Sequence, residues 1–175
     1  MPRITTRHVL STLGVAITFL LLAAVLFPFF VQAKGGSVKS PTCLRNMVEI
    51  GRAFQAYVAD HDDRYPLASN WIDSSIPFLT VSRIPPTNKE AQTYFQCPLV
   101  PKGGYGYAMN AFLSGAHVSA LDNPKEMHLV YESKDTAKNA SEYLPLVPIP
   151  GRHPHATNIF LFADGSTRAL LTEAK

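Results

Sequence analysis

The sequence lacks most of the features that mark enzymes and charged rods. It contains two cysteines, one tryptophan and only 17% charged residues, and no acidic residue precedes Glu49. Nothing in it resembles a serine nucleophile elbow, a P-loop or a dinucleotide-binding glycine fingerprint. The low charged fraction excludes a charge-patterned helical rod. The apolar fraction of 46% excludes a disordered chain, because such chains lack enough apolar surface to bury.

The charge balance disfavours nucleic acid as a partner. Arg3 and Arg7 are the only basic residues before Lys34 among the 16 Lys and Arg residues, and all 13 acidic residues come later in the chain. The part that begins at Lys34 is therefore nearly neutral. A nearly neutral body lacks the positively charged surface that binding to DNA or RNA requires.

A long uncharged stretch near the N-terminus predicts a membrane segment. Residues 9–31 contain no charged side chain. A helix of this length is about 35 Å long, and the hydrocarbon core of a bilayer is roughly 30 Å thick. We therefore predict a short tail over residues 1–8 and a transmembrane helix over 9–31, with the lipid bilayer as a partner.

A cleaved signal peptide is the alternative interpretation of this segment. Arg3 and Arg7 would be its basic region, and a cut before Lys34 would release the rest of the chain. The apolar run exceeds the roughly 7–15 residues usual in signal peptides, so an uncleaved anchor is favoured. Basic residues flank the run on both sides and do not fix its orientation. Both interpretations predict export of the C-terminal part.

The remainder predicts an α+β domain over residues 43–175, after a linker or helix continuation over 32–42. Apolar residues at three-and-four spacing predict an amphipathic helix from Cys43 to Ala59. Gly51 in this helix would allow a sheet or loop to approach it closely. Residues 67–104 show little periodicity, and residues 134–151 are predicted to be a surface loop. Strands are expected to begin within 103–110 and to span 127–131, followed by a hairpin of residues 157–163 and 167–171 around Asp164-Gly165.

The two cysteines favour a disulfide if the domain is exported. An oxidising compartment favours pairing of Cys43 with Cys97, and closure of so long a loop could stabilise the fold by roughly 4 kcal/mol. Two separate buried thiols are the alternative. The close CxxC spacing that would support a metal site on these cysteines is absent.

Two groups of metal-competent residues occur: Asp60, Asp62 and Asp63 after the helix, and His153, His155 and Asp164 around the hairpin. Calcium could bind the first group, although a solvated turn accounts for it. Metal binding or acid–base chemistry could use the second group. The favoured interpretation is structural, with a histidine that holds the loop and an aspartate that forms the turn. We therefore predict no catalytic residue, metal or cofactor, with calcium as the alternative at the acidic turn.

Several motifs in order resemble a known family. They are the helix end at residues 26–33, Cys43-Leu44-Arg45-Asn46, Ile50-Gly51, Tyr57, the segment 60–66, Phe95-Gln96-Cys97-Pro98, the segment 105–110, Arg152-His153 and Phe162-Ala163-Asp164-Gly165. This series resembles the bacterial prepilin-like proteins with a processing-associated domain named for its His, nine residues, then Asp-Gly. These are relatives of type II secretion pseudopilins and type IV pilins. The resemblance implies a pilin-like fold, in which a long N-terminal helix packs on an antiparallel sheet.

The sequence departs from that family at two places. When Pro28 is aligned with the proline in the family's N-terminal helix, Arg7 takes the position of the first residue after leader cleavage. Ser11 then stands where the family has a glutamate. The glycine that precedes the cleavage site in the family is also absent. We therefore expect no prepilin-peptidase cleavage. Ten residues separate His153 from Asp164, and eight separate His155 from Asp164, so neither histidine matches the family spacing.

The resemblance implies a non-enzymatic, single-pass protein of the bacterial inner membrane with an exported pilin-like domain. It would act in assembly of a type II secretion or type IV pilus-like system, contacting other pilin-like subunits through its N-terminal helix. The alternative function is that of an exported or membrane-tethered metal-dependent hydrolase that uses His153 and His155.

Overall fold

The computed structural model describes residues 40–80 and 87–173, together with Ile17. Apart from Ile17, the predicted tail, the transmembrane helix and most of the linker therefore lie outside the described residues. Among the helices of the described part, none is both long and apolar enough to cross a membrane.

The described chain is an α+β domain, as the sequence predicts. Its helices are α1 (Ser40–Asp60), α2 (Trp71–Ser75) and α3 (Asn88–Tyr94). Its strands are β1 (Tyr107–Asn110), β2 (His128–Glu132), β3 (Ser141–Glu142), β4 (Thr157–Phe162) and β5 (Thr167–Leu171). The five strands form one sheet in the order β3-β1-β2-β4-β5.

Helix α1 matches the predicted amphipathic helix and ends where the pattern ends. The amides of His61 and Asp63 donate to the Val58 carbonyl at 3.2 and 3.1 Å, which closes the last turn. Asp62 and Asp63 then adopt left-handed backbone angles, with φ of 49° and 53°. Aspartate tolerates this region better than most residues, and the chain leaves the helix there.

Helix α3 is a structure that the sequence analysis missed. Thr87 caps it, since its hydroxyl accepts from the Glu90 amide at 3.4 Å while the Glu90 carboxylate accepts from the Thr87 amide at 3.0 Å. This reciprocal arrangement is a capping box, and a threonine followed three residues later by glutamate is its sequence signature.

The sheet is antiparallel except at one edge. The predicted hairpin forms, with Ile159 of β4 opposite Ala169 of β5. The prediction of a surface loop over residues 134–151 was incomplete, because Ser141 and Glu142 pair in parallel with Met109 and Asn110 of β1. The loop thereby supplies an edge strand, and the sheet is mixed rather than purely antiparallel.

Both faces of the sheet are covered. Helix α1 and helix α2 cover one face with a core that includes Met47, Ile50, Phe54, Trp71 and Leu161. On the opposite face a second, smaller buried group consists of Ala108, Tyr131, Ala140, Phe160 and Phe162. The loop around Ala140 therefore covers the face of the sheet that α1 does not.

Strand β5 forms the other edge and is largely exposed. The guanidinium of Arg168 lies 4.3 Å from the centre of the Phe162 ring, while Leu171 is exposed. A cation over an aromatic face is favourable, so Arg168 is held on this edge strand.

Gly51 marks the closest approach of α1 to the sheet, as the sequence suggested. A Cβ atom at this position would lie 2.8 Å from Cδ1 of Leu161 on β4. Contacts this short force neighbouring side chains out of their rotamers. The absence of a side chain at residue 51 therefore lets the helix lie directly on β4.

We expect Gly51→Val to lower the free energy of unfolding by about 1–3 kcal/mol, because the added methyl groups overpack the interface with Leu161. Urea denaturation of the detergent-solubilised chain would measure this loss. Ala56→Val is the matched control, since Ala56 is exposed and the substitution should cost only about 0.5 kcal/mol in helix propensity. Equal losses for the two variants would contradict the packing role of Gly51.

His128 is predicted to make stability depend on pH. Its ring packs on Phe160 and Phe162, with ring centres 4.7 and 5.0 Å away, and burial lowers the pKa of His128 below its ordinary value. The unfolded chain takes up the proton first as the pH falls through about 6.5. The stabilisation from neutral His128 is therefore complete above that pH and is lost below it.

The free energy of unfolding should thus fall less steeply from about pH 8 to pH 5.5 in His128→Gln than in the unmodified chain. Urea titrations at several pH values would show the difference in slope. His155→Gln, which changes an exposed histidine, should keep the original slope. An unchanged slope in His128→Gln would exclude His128 as a source of the pH dependence.

Candidate functional site

The two cysteines meet beneath the first turns of α1. Cys43 lies near the start of that helix. Cys97 lies in the loop that follows α3, and the Cys97 amide donates to the Tyr105 carbonyl at 2.8 Å. Their sulfur atoms are 3.4 Å apart, and both are buried free thiols. The structure therefore brings together the two residues that the sequence analysis paired. The disulfide itself stays a prediction.

A fully buried carboxylate lies beside the thiols. Glu132 is the last residue of β2, and its Oε1 lies 2.8 Å from Nε2 of His153. Its Oε2 accepts from the Ile159 amide at 2.8 Å, and the Cys97 thiol approaches Oε1 at 3.6 Å. Burying a carboxylate is costly unless its oxygens are paired, and here both oxygens have partners.

These contacts define a buried cluster that consists of Cys43, Cys97, Tyr107, Glu132 and His153. Ligand atoms of Cys43, Glu132 and His153 all lie within 4.8 Å of one another. The cluster joins α1, the loop after α3, β1, β2 and the segment before β4. Thiol, carboxylate and imidazole groups from distant parts of the sequence therefore share one small volume.

Two polar atoms of the cluster lack a partner. The Tyr107 hydroxyl lies near the Asn46 side chain and the Cys43 thiol, but none of the described residues makes a well-formed hydrogen bond to it or to Nδ1 of His153. Burial, and after it the proximity of Cys43, Cys97 and Glu132, raises the pKa of Tyr107 well above its ordinary value. The phenol therefore stays protonated beside these three groups, with its hydroxyl unsatisfied.

The two thiols are not equivalent. Hydrogen bonding between them, followed by burial, raises the pKa of Cys43. The same hydrogen bond lowers the pKa of Cys97. This is the expected pattern when Cys43 donates its proton toward the Cys97 sulfur, since the acceptor is then stabilised as a thiolate.

Arg152 places a positive charge next to the cluster. Its guanidinium donates to the Gly106 carbonyl at 3.0 Å and also to the Ser133 carbonyl. Gly106 has a φ of 74°, and a Cβ there would lie 2.5 Å from Val100 and 3.2 Å from the guanidinium. Glycine at residue 106 thus permits both the left-handed turn and the approach of Arg152.

The structure separates the two histidines that the sequence analysis grouped. His153 is buried in the cluster, whereas His155 is exposed and has a φ of 59°. The metal-competent group found in residues 40–80 and 87–173 contains His153 but not His155 or Asp164. The predicted loop-holding histidine is therefore His153, and it holds the loop to Glu132 of β2.

Asp164 has the turn-forming role that its position predicts. Its Oδ1 accepts from the amide and the hydroxyl of Ser166 at 2.9 and 2.6 Å. These hydrogen bonds, the hydroxyl one foremost, lower the pKa of Asp164. Gly165 follows with a φ of 83°, which suits the hairpin turn.

The acidic turn after α1 is exposed. Asp60, Asp62 and Asp63 all lie at the surface, and the Asp63 carbonyl accepts from the Val118 amide at 2.9 Å. Arg64 is directed to the Gly115 carbonyl at 3.1 Å. This geometry is that of a solvated turn joined to the loop of residues 115–118, and calcium binding there stays untested.

The sequence analysis missed Glu132 and Tyr107 as members of the site. A signal for Glu132 was present, since a charged residue directly follows the apolar run Leu129-Val130-Tyr131. Its burial could not be foreseen, because the partners that make it tolerable come from residues 97, 153 and 159.

No family model matches the chain, and no curated protein or solved structure gives a significant match.

Loss of the His153 imidazole should be strongly destabilising, because it leaves the Glu132 carboxylate buried without its main partner. Removal of one member of a buried pair costs about 3–5 kcal/mol. We expect a loss of this size in the free energy of unfolding of His153→Ala, measured by urea denaturation. His153→Gln, which can still donate to Glu132, should recover part of it.

The matched control is His155→Asn, two residues further along the same segment. His155 is exposed and has a φ of 59°, a backbone region that asparagine tolerates, so this variant should change stability by no more than about 0.5 kcal/mol. A loss below about 1 kcal/mol in His153→Ala would show that the Glu132–His153 contact contributes little to the fold.

Proposed function

We propose that this chain is a non-enzymatic, membrane-anchored, pseudopilin-like protein of the bacterial envelope. It is held in the inner membrane by a single helix over residues 9–31, and its domain from residue 43 onward lies outside the cytoplasm. There it contributes to assembly of a type II secretion or type IV pilus-like system. Its partners are the lipid bilayer and other pilin-like subunits.

The observation that carries this proposal is the packing of α1 on the sheet. Helix α1 is the first element of the described domain, begins at Ser40 shortly after the apolar run, and lies on β4 through Gly51. This is the arrangement expected for a pilin-like head, in which the helix that leaves the membrane also forms the base of the sheet. An uncharged helix can pass from lipid into contact with similar helices without exposing backbone polar groups.

The chemistry of the cluster supports a structural role for the domain. Glu132 and His153 satisfy each other in the interior, with side chains 0% and 2% exposed. A general acid or base must reach the proton that it transfers. Side chains this deeply buried are better suited to holding segments together than to contacting a substrate.

Membrane anchoring is tested by alkaline carbonate extraction of membranes that contain the tagged full chain. We expect the chain to stay in the membrane pellet with its full mass. Leu21→Arg combined with Leu22→Arg should release it, since each arginine at the centre of a span costs about 2.5–3.5 kcal/mol. Ser37→Arg with Val38→Arg is the control, because it adds the same charges outside the apolar run.

Assembly is tested in the same membranes with a photo-crosslinking residue at successive positions of 9–31. We expect crosslinks to a second copy or to another pilin-like subunit, with a helical periodicity of about 3.6 residues. Release of the full-mass chain by carbonate would contradict the anchor. Retention without any protein crosslink would contradict assembly through this helix.

A further inference from the structure

The buried cluster contains the ligand chemistry of a zinc site. Zinc in proteins is bound by cysteine sulfur, histidine nitrogen and carboxylate oxygen at about 2.0–2.3 Å, in tetrahedral geometry. Atoms at the corners of such a tetrahedron lie about 3.3–3.8 Å apart. The ligand atoms of Cys43, Glu132 and His153 already lie within 4.8 Å of one another. Small side-chain movements would therefore place all three around one ion.

Cys97 supplies the fourth ligand. Its sulfur lies 3.4 Å from the Cys43 sulfur and 3.6 Å from Oε1 of Glu132. Both separations are close to the edges of a zinc tetrahedron. Two cysteines, one histidine and one glutamate are a donor set that favours zinc and its soft relatives over magnesium or calcium.

An unsatisfied group also points into this volume. Tyr107 is fully buried, and its hydroxyl lies near Asn46 and Cys43 without a well-formed hydrogen bond to any described residue. Buried hydroxyls are nearly always paired, so each exception calls for an explanation such as an ion or a water molecule. A thiolate held on a metal beside Tyr107 would accept a hydrogen bond from it.

The charges around the cluster also balance when a dication is present. Two thiolates and the Glu132 carboxylate carry three negative charges, and a divalent ion offsets two of them. The Arg152 guanidinium, fixed on the carbonyls of Gly106 and Ser133, offsets the third. The metal-free cluster, with two protonated thiols, is neutral as well, so binding of the dication with loss of two protons leaves no uncompensated buried charge.

We propose that the reduced chain binds one zinc-class divalent cation in the buried cluster, through Cys43, Cys97, Glu132 and His153. Each thiol that binds gives its proton to solvent, and the ion then joins α1, the loop after α3, β2 and the segment before β4. A Cys43–Cys97 disulfide would use the same two sulfurs, so in one molecule it excludes the metal. The proposal does not depend on the envelope function.

The test uses the full chain in detergent, reduced with a phosphine that does not compete for metal, stripped with a chelator and exchanged into metal-free buffer. Titration with cobalt(II) should give one ion per chain, with a sulfur-to-cobalt charge-transfer band and the intense visible bands of tetrahedral coordination. Zinc added afterwards should displace the cobalt and abolish both signals.

Cys97→Ser and His153→Gln should each weaken cobalt binding by at least about 100-fold, since loss of even an outer-shell partner costs about 10–100-fold. His155→Gln is the matched control and should bind as the unmodified chain does. Unchanged binding in both Cys97→Ser and His153→Gln would place the metal elsewhere and overturn the proposal.

A measurement on the unmodified chain keeps the proposal testable if those variants fail to fold. X-ray absorption of the zinc-loaded reduced chain should show two sulfur scatterers at about 2.3 Å and two nitrogen or oxygen scatterers at about 2.0–2.1 Å. Absence of stoichiometric binding by the reduced chain, or a shell without sulfur, would overturn it.

Discussion

The structure depends on a carboxylate that has no contact with solvent. Glu132 ends the central strand β2 on the face that α1 covers, and each of its oxygens is paired, one with His153 and one with the Ile159 amide. An unpaired carboxylate there would cost several kcal/mol. Its partners must therefore stay in register, which fixes the start of β4 and the loop that precedes it. The position of the hairpin follows from the same constraint.

Much of the fold could be predicted from local patterns. The spacing of Met47, Phe54 and Val58 predicted the helix, and the Asp164-Gly165 pair predicted the hairpin, because each signal lies within one short segment. Strand β3 could not be predicted in this way, since Ser141 and Glu142 are strand residues only through pairing with β1. Helix α3 was predictable in principle from Thr87 and Glu90, whose capping box is itself local.

The candidate site was less predictable, because it is made of single residues from distant segments. Sequence reasoning paired Cys43 with Cys97 and singled out His153, and these three do lie together. It grouped His153 with His155 because they are close in sequence, although a turn at His155 directs the two side chains into different environments. Glu132 is not part of a recognisable sequence motif. Only the folded sheet shows that its neighbours satisfy it, so the central member of the cluster could not be named beforehand.

The two edge strands of the sheet differ, and both limit how copies of this chain can associate. One margin is the two-residue strand β3, too short to template a long pairing. The other is β5, an edge strand among the described residues that carries the charged Arg168 side chain over the Phe162 ring. Short and charged rims resist strand addition by a neighbour. Edge-to-edge pairing of copies of this chain into a continuous intermolecular β-sheet, which is the route to amyloid-like aggregation, is therefore disfavoured. Contacts between copies should instead use other surfaces.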